Sequence, residues 1–235
     1  MHSPRALGII PARGGSKRLL RKNLQLLAGY PLIYYTIQAA MHSTLLTDFL
    51  VSSEDKEILS IARQYGAPTP FVRPAELASD NVRNIDVVLH ALNFMEDKTG
   101  RHYDIIVLLQ PTCPIRIPKH IDDAVKLLCE SEMDSLASVK GPYKKPFPTL
   151  KGIRDGVLES YCTSGDVEIN EPFYIYNASI YAVKRGYLLK ERKLISPRQV
   201  PLVMDQFKSI DIDTKDDLLM AEAALKILKA HNEVD

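Results

Sequence analysis

From residue 6 to residue 139, short apolar runs alternate with longer stretches of helical period. The apolar runs fall at 6–10, 48–53, 69–72, 103–110 and 134–139, and the helical stretches at 31–43, 54–66, 81–100 and 118–131. In 81–100, Ile85, Val88, Leu89, Leu92 and Met95 recur at the spacing of one helix face, and Gly100 ends the stretch. Pro31 suits a first helical turn and Gly66 a helix stop. The run 103–110 is apolar without alternation, as expected of a strand covered on both faces. Strand, helix, strand, helix at this rhythm predicts right-handed βαβ units and a mostly parallel sheet. In such sheets ligands sit beyond the carboxyl ends of the strands. The loops that matter are therefore those after Ile10, Val51, Val72, Gln110 and Val139.

The rhythm fails at 140–176, which carries several prolines, mixed charge and no long helical period. Extended arms and hairpins are expected there, inserted in what is otherwise one domain over 1–235. Regularity returns at 178–189, at 209–213 and in a helix over 214–231. The formal net charge of +1 argues against non-specific nucleic-acid binding, which draws on clustered positive charge. No apolar run nears the ~18 residues of a membrane span, and no signal-peptide core follows the first residues. Cys113, Cys129 and Cys162 fit neither a zinc spacing nor a disulfide framework, and read as the reduced thiols of a cytoplasmic protein. Cys113 is expected to be filler, and His90, His102 and His120 to be structural.

Against this near-neutral background one loop stands out. "IIPARGGSKRLLRKN" brings Arg13, Lys17, Arg18, Arg21 and Lys22 directly after the first strand. Gly14 and Gly15 would let the backbone approach a ligand closely, and successive N–H groups in such a turn form an anion-binding concavity. Arg13 can hold phosphate oxygens in a fork, with Lys17 or Lys22 as point charges. The loop is neither a P-loop nor a dinucleotide fingerprint. Two further loops meet the same sheet edge: "RPAELASD" with Arg73 and Ser79, and "LLQPTCPIR" with Gln110 and Arg116. Finally, Asp211 and Asp213 alternate along an extended stretch, so their carboxylates share a face. Such a pair suits Mg²⁺ shared with phosphate oxygens. Thr214, with Asp217 three positions on, fits a helix N-cap.

These segments, together with "NASIY" and "SIDIDTKDDL", resemble in order the motifs of the CMP-N-acylneuraminate synthetases, the cytidylyltransferases of sialic acid and related nine-carbon keto-sugar acids. The resemblance runs from about residue 6 to 228. It implies a three-layer Rossmann-like nucleotidyltransferase fold with a projecting dimerisation arm at 140–176, and a homodimer. It also implies a reaction in which the anomeric hydroxyl of the sugar acid attacks the α-phosphate of CTP and expels pyrophosphate. Mg²⁺ would sit on Asp211 and Asp213. Arg13, Lys17 and Lys22 would hold the triphosphate. The nucleotide would also meet Ala12, Gly14, Gly15, Ser16, Asn23, Arg73, Ser79 and Asp80. Gln110, Arg116, Lys144, Lys145 and Asn177 would face the sugar. Ile175 and Ala178 depart from the Arg and Gly that family members often carry, which leaves the acceptor open among sialic, legionaminic and other nonulosonic acids. Two other readings remain: a nucleotidyltransferase acting on sugar 1-phosphates, and a non-catalytic nucleotide-binding subunit.

Overall fold

A computed structural model describes residues 4–143, 151–155, 157–160 and 172–231. The first apolar run is β1 (Ala6–Pro11). A two-strand hairpin, β2 (Leu26–Leu27) and β3 (Tyr30–Pro31), precedes α1 (Leu32–Met41). There follow β4 (Asp48–Ser52), α2 (Lys56–Gln64), α3 (Asn84–Thr99), β5 (Ile105–Leu109), α4 (Pro118–Glu130) and β6 (Ser135–Tyr143). A second small hairpin pairs β7 (Lys151–Arg154) with β8 (Val157–Ser160). The long β9 (Phe173–Lys184) then leads to α5 (Arg185–Glu191), β10 (Val200–Val203) and α6 (Lys215–Ala230).

Six strands form the main sheet in the order β10-β6-β9-β5-β1-β4. β1 runs parallel to β4 and β5, and β10 parallel to β6. β9 alone is antiparallel to its neighbours, β5 and β6. Period-2 alternation divides the core in two. In β5, Ile105, Val107 and Leu109 join one cluster with α1, α2 and α4, through Ile37, Ile58 and Val125. Ile106 and Leu108 join the other with α3 and α5, through Leu92 and Leu188. All five β5 side chains are buried, each worth roughly 1.5–3 kcal/mol relative to exposure. The result is the expected three-layer α/β arrangement. A third cluster seats α6, through Ala221, Ala224, Leu225 and Leu228, against Leu27, Leu32 and Ile212. Among the described residues no helix is long and apolar enough to cross a membrane.

Two expectations change. Residues 69–72 are not a strand. Pro68 and Pro70 lack the donors a ladder needs, and the segment is held beside β4 at its ends: Val51 N–H donates to Pro68 O at 2.9 Å and Arg73 N–H to Ser53 O at 2.8 Å. The irregular zone is also narrower than 140–176. β6 and β9 stay paired through Lys140↔Ile175 and Tyr143↔Phe173, so both ends of that zone belong to the main sheet.

The topology creates a crevice. The chain leaves β1 toward β4 and leaves β5 toward β6, in opposite directions along the sheet. Loops that part in this way open a cleft between adjacent carboxyl ends, where α/β sheets bind ligands.

Candidate active site

A cavity of about 560 Å³ lies in this crevice. Its wall includes Arg13, Ser16, Lys17, Lys22, Asn23, Arg73, Ser79, Asp80, Gln110, Asp211 and Asp213. All three loops and the aspartate pair therefore meet in one place, although they span two hundred residues of chain.

The cationic loop is fixed from within and from across the cleft. Asn23 is buried and donates its Nδ2 to Arg13 O at 2.9 Å, which folds the loop back on itself. Lys22 Nζ reaches Ile212 O at 2.8 Å and Asp213 Oδ1 at 2.7 Å, tying this loop to the segment before α6. That segment is set in turn by α6's capping box. Thr214 accepts from Asp217 N–H at 3.2 Å, and Asp217 Oδ2 accepts from Asp213 N–H at 3.0 Å and Thr214 N–H at 2.7 Å. Ile212 N–H also donates to Thr112 O at 2.7 Å, which holds Asp211 and Asp213 over the loop after β5.

Each of two carboxylates holds two cations of the loop. Asp80 takes Arg13 at 2.6 Å and Lys17 at 2.5 Å, and Asp213 takes Arg18 at 2.6 Å and Lys22 at 2.7 Å. Lys17 first and then Arg13 hold the Asp80 carboxyl below its ordinary value. Lys22 does the same for Asp213. Asp211 goes the other way: burial pushes its carboxyl up, a bond from the Thr112 side chain holds part of that back, and the Asp213 charge adds to it. Two neighbouring carboxylates whose affinities for a proton are driven apart leave one of them short of positive charge.

Sequence reasoning missed Glu54, which lies beyond the carboxyl end of β4. Its Oε1 accepts the Gly14 N–H at 2.8 Å and its Oε2 the Arg73 Nη2 at 2.6 Å, so one side chain joins the first loop to the third. Arg73 is buried, and its Nε has no hydrogen-bond partner among the described residues. A loop immediately after a strand's carboxyl end was the signal for Glu54, but helical periodicity absorbed it.

Several expected residues are not on the wall. Ala12 is buried and its N–H donates to Ser52 O at 2.9 Å. Gly14 serves a protein contact: an added Cβ would lie 3.0 Å from Asp55 Cβ and closer still to its carboxylate. An added Cβ at Gly15 would meet nothing. Arg116 is 3% exposed and faces the interior rather than a sugar. Its Nε donates to Ser179 Oγ at 3.1 Å, its Nη1 to Thr36 Oγ1 at 2.8 Å, and its Nη2 to Ser179 O at 3.0 Å and to Gln110 O. Asn177 is buried too, with Oδ1 accepting from Ser138 Oγ at 2.5 Å and Ser179 N–H at 3.1 Å, and Nδ2 donating to Ser209 Oγ at 2.9 Å. It fills the register shift between β6 and β9. Lys144 and Lys145 lie outside the described residues. The histidine expectation fits His120, whose Nδ1 takes the Ile117 N–H at 3.3 Å and whose pKa burial pushes down to about 4. Cys113 is buried, and burial raises its thiol, so it is no thiolate.

The same register shift puts Ala178 at φ +58°, in the left-handed region. A methyl group there costs about 1 kcal/mol that glycine avoids. Ala178→Gly is therefore expected to raise the thermal midpoint by about 2 °C, read in a melting curve. An unchanged or lower midpoint would mean that the Ala178 methyl makes compensating contacts.

The family model described as cytidylyltransferase matches residues 7–151. The chain is 37% identical over 227 residues to a protein of Legionella pneumophila named CMP-N,N'-diacetyllegionaminic acid synthase, covering 95% of this chain and 97% of that protein. It is 31% identical over 218 residues to the N-acylneuraminate cytidylyltransferase of Escherichia coli O18:K1:H7, covering 92% of this chain and 51% of that protein. Among solved structures, a CMP:2-keto-3-deoxy-manno-octonic acid synthetase complexed with CTP superposes with a TM-score of 0.71 at 16% identity, over 95% of this chain and 99% of that one. That likeness supports the fold, and the family model and the sequence relatives supply the rest: the chain belongs to the cytidylyltransferase family.

Proposed function

We propose that this protein transfers CMP from CTP to the anomeric hydroxyl of a nine-carbon keto-sugar acid. The observation that carries the reading is the convergence of the cationic loop and the Asp211–Asp213 pair on one cavity at the strand crevice. Relatives named for legionaminic and N-acylneuraminic acids support the acceptor class. In the transfer, the hydroxyl oxygen bonds to the α-phosphorus as the bond to the bridging oxygen breaks, and pyrophosphate leaves. Such chemistry needs position and positive charge more than a covalent nucleophile.

Arg13, Lys17 and Lys22 bind the triphosphate: Arg13 and Lys17 exchange Asp80 for phosphate oxygens, and Lys22, bonded to Asp213 and Ile212 O, offers its remaining N–H. Asn23 orders the loop that carries them. Arg73, Ser79 and Asp80 border the nucleotide, and Gln110 borders the acceptor. Asp211 and Asp213 fit a divalent metal of the Mg²⁺ type. Among the described residues no group of three or more His, Cys, Asp or Glu could hold a metal alone. A two-carboxylate site suits a hard cation that completes its shell with phosphate oxygens and water. Bound there, the metal would neutralise phosphate charge and orient the triphosphate. We also read the protein as a cytoplasmic homodimer. Exposed Tyr174, Ile175 and Tyr176 at the outer end of β9, with Val203 and Phe207 also exposed, support a covered apolar face.

The test is pyrophosphate release with CTP and Mg²⁺ against N-acetylneuraminate, a legionaminate, a pseudaminate, 3-deoxy-manno-octulosonate and glucose 1-phosphate. Release that is specific for CTP and one nine-carbon acid is expected. Release only with the sugar phosphate would favour a sugar-1-phosphate nucleotidyltransferase. Silence across the panel in a protein that still binds CTP would favour a non-catalytic nucleotide-binding subunit.

A further inference from the structure

Both oxygens of the Asp213 carboxylate are occupied, and by unequal partners. Oδ1 is held by Lys22 Nζ at 2.7 Å, and the Lys22 side chain is 13% exposed and also bonded to Ile212 O at 2.8 Å. Oδ2 is held by Arg18 Nη1 at 2.6 Å, and the Arg18 side chain is 75% exposed with no second hydrogen bond among the described residues. Asp211, beside Asp213, has no such counter-ion pair among the described residues, and it feels the charges of Asp213, Lys22 and Asp217. Asp217, the remaining acid nearby, is used up in the capping box. A divalent cation arriving between Asp211 and Asp213 would therefore find the Asp213 oxygens already neutralised.

A guanidinium and a divalent cation on the same carboxylate oxygen repel, so one has to leave. Of the two holders of Asp213, Arg18 is the one whose release costs least, because an exposed ion pair is worth only a fraction of a kilocalorie to about 1 kcal/mol. We propose that Arg18 is a positioning residue that couples metal to nucleotide. It caps Asp213 Oδ2 in the empty site, yields that oxygen to the metal when nucleotide enters, and transfers its own charge to the β- and γ-phosphate oxygens. The proposal rests on the metal reading above and deepens it. Arg18 lines the same cavity as Arg13 and Lys17, so its freed guanidinium stays beside the phosphates. The consequence is thermodynamic. Metal binds weakly to the free protein and tightly to the CTP complex, and by linkage CTP gains as much from metal as metal gains from CTP.

The experiment titrates Mn²⁺ alone, and Mn²⁺ in the presence of CTP, into the full chain by the paramagnetic resonance signal of free Mn²⁺. Four proteins are compared: wild type, Arg18→Gln, Arg21→Gln and Asp213→Asn. Arg21→Gln removes the same charge from the same loop, but Arg21 pairs with Glu57 at 2.8 Å and Asp55 at 3.4 Å rather than with Asp213. Arg18→Gln is expected to bind Mn²⁺ alone about fivefold more tightly than wild type, the scale of one exposed pair, and to lose about the same factor from the tightening that CTP confers. Arg21→Gln should match wild type. If Arg18→Gln and Arg21→Gln bind Mn²⁺ alike, the proposal is overturned. If Asp213→Asn binds Mn²⁺ as wild type does, the metal reading itself falls. Loss of Mn²⁺ binding in Asp213→Asn with no change in Arg18→Gln would leave the metal reading standing and remove only the role of Arg18.

Discussion

Asp211→Asn should lower turnover by about three orders of magnitude while leaving the protein as stable as before or slightly more so. The loss follows from the donor set. Of the three aspartates on the cavity wall, Asp80 is held by Arg13 and Lys17. No group of three or more His, Cys, Asp or Glu that could hold a metal is present among the described residues, so removing one of the Asp211–Asp213 pair halves what the pair offers a metal. A thousandfold loss corresponds to about 4 kcal/mol of transition-state stabilisation. The stability change runs the opposite way because burial, and the Asp213 charge behind it, raise the carboxyl of Asp211. A carboxyl whose folded pKa lies above its unfolded value of about 3.9 contributes its full stability below that value. The contribution is lost as pH rises through the folded pKa. At neutral pH the metal-free wild type has lost it, and the Asn variant has nothing to lose. Asp211 also faces the water of the cavity, so the gain is small, about 1–2 °C in midpoint, and it vanishes below about pH 3.9. Mg²⁺ with CTP should reverse the order, stabilising wild type and not the variant. Pyrophosphate release and melting curves at two pH values read both effects. Undiminished turnover would remove the metal role of Asp211, and a midpoint several degrees lower would mean that its Thr112 bond matters more than its charge.

What could be read from the residues, and what could not, divides along a physical line. Periodicity locates elements because burial imposes it. β1, β4, β5, α3, α4 and α6 lie within a few residues of the positions their apolar spacing predicts, and Thr214 caps α6 with Asp217 answering it. The sheet-edge rule then placed the first, third and fourth loops in one cavity. Two departures concern backbone donors: the strand expected at 69–72 does not form, and β10 forms where the sequence reading named no strand. Residues 69–72 have strand-like side chains, but Pro70, with Pro68 before it, cannot complete a ladder. β10 accommodates Pro201 because it is an edge strand, a position that only the assembled sheet reveals. The others concern polar residues. Arg116 and Asn177 have the side chains of a binding site and stand beside site loops, yet both are buried in the scaffold. Residue type records hydrogen-bonding capacity and not the partner that uses it. Glu54 is the converse, an ordinary charge in the sequence whose partners, Gly14 and Arg73, give it a role only in the fold.

Arg116→Ala is the sharpest test of that distinction, with an expected fall in thermal midpoint of about 10 °C. The guanidinium is almost fully buried, and its partners are hydroxyl and carbonyl oxygens from three places: Thr36 on α1, Gln110 after β5, and Ser179 in the irregular part of β9. Burial drives its pKa down to about 10, still high enough to stay charged at neutral pH. Truncation removes all four bonds at once, leaves the Ser179 and Gln110 carbonyls with only the long bonds from Gln110 N–H at 3.3 Å and Cys113 N–H at 3.4 Å, takes a donor from two hydroxyls, and leaves a cavity where the side chain was. Losses of this sort run to about 3–5 kcal/mol, and a chain of this size loses about 2–4 °C for each. Arg116→Lys keeps the charge but replaces the fork with a single ammonium, so it should recover only part of the loss. Were Arg116 a sugar ligand instead, both variants would melt like wild type and raise the KM for the acceptor. On the structural assignment the Lys variant melts lower and keeps its KM for both substrates near wild type, because Gln110 and the cationic loop still line the cavity.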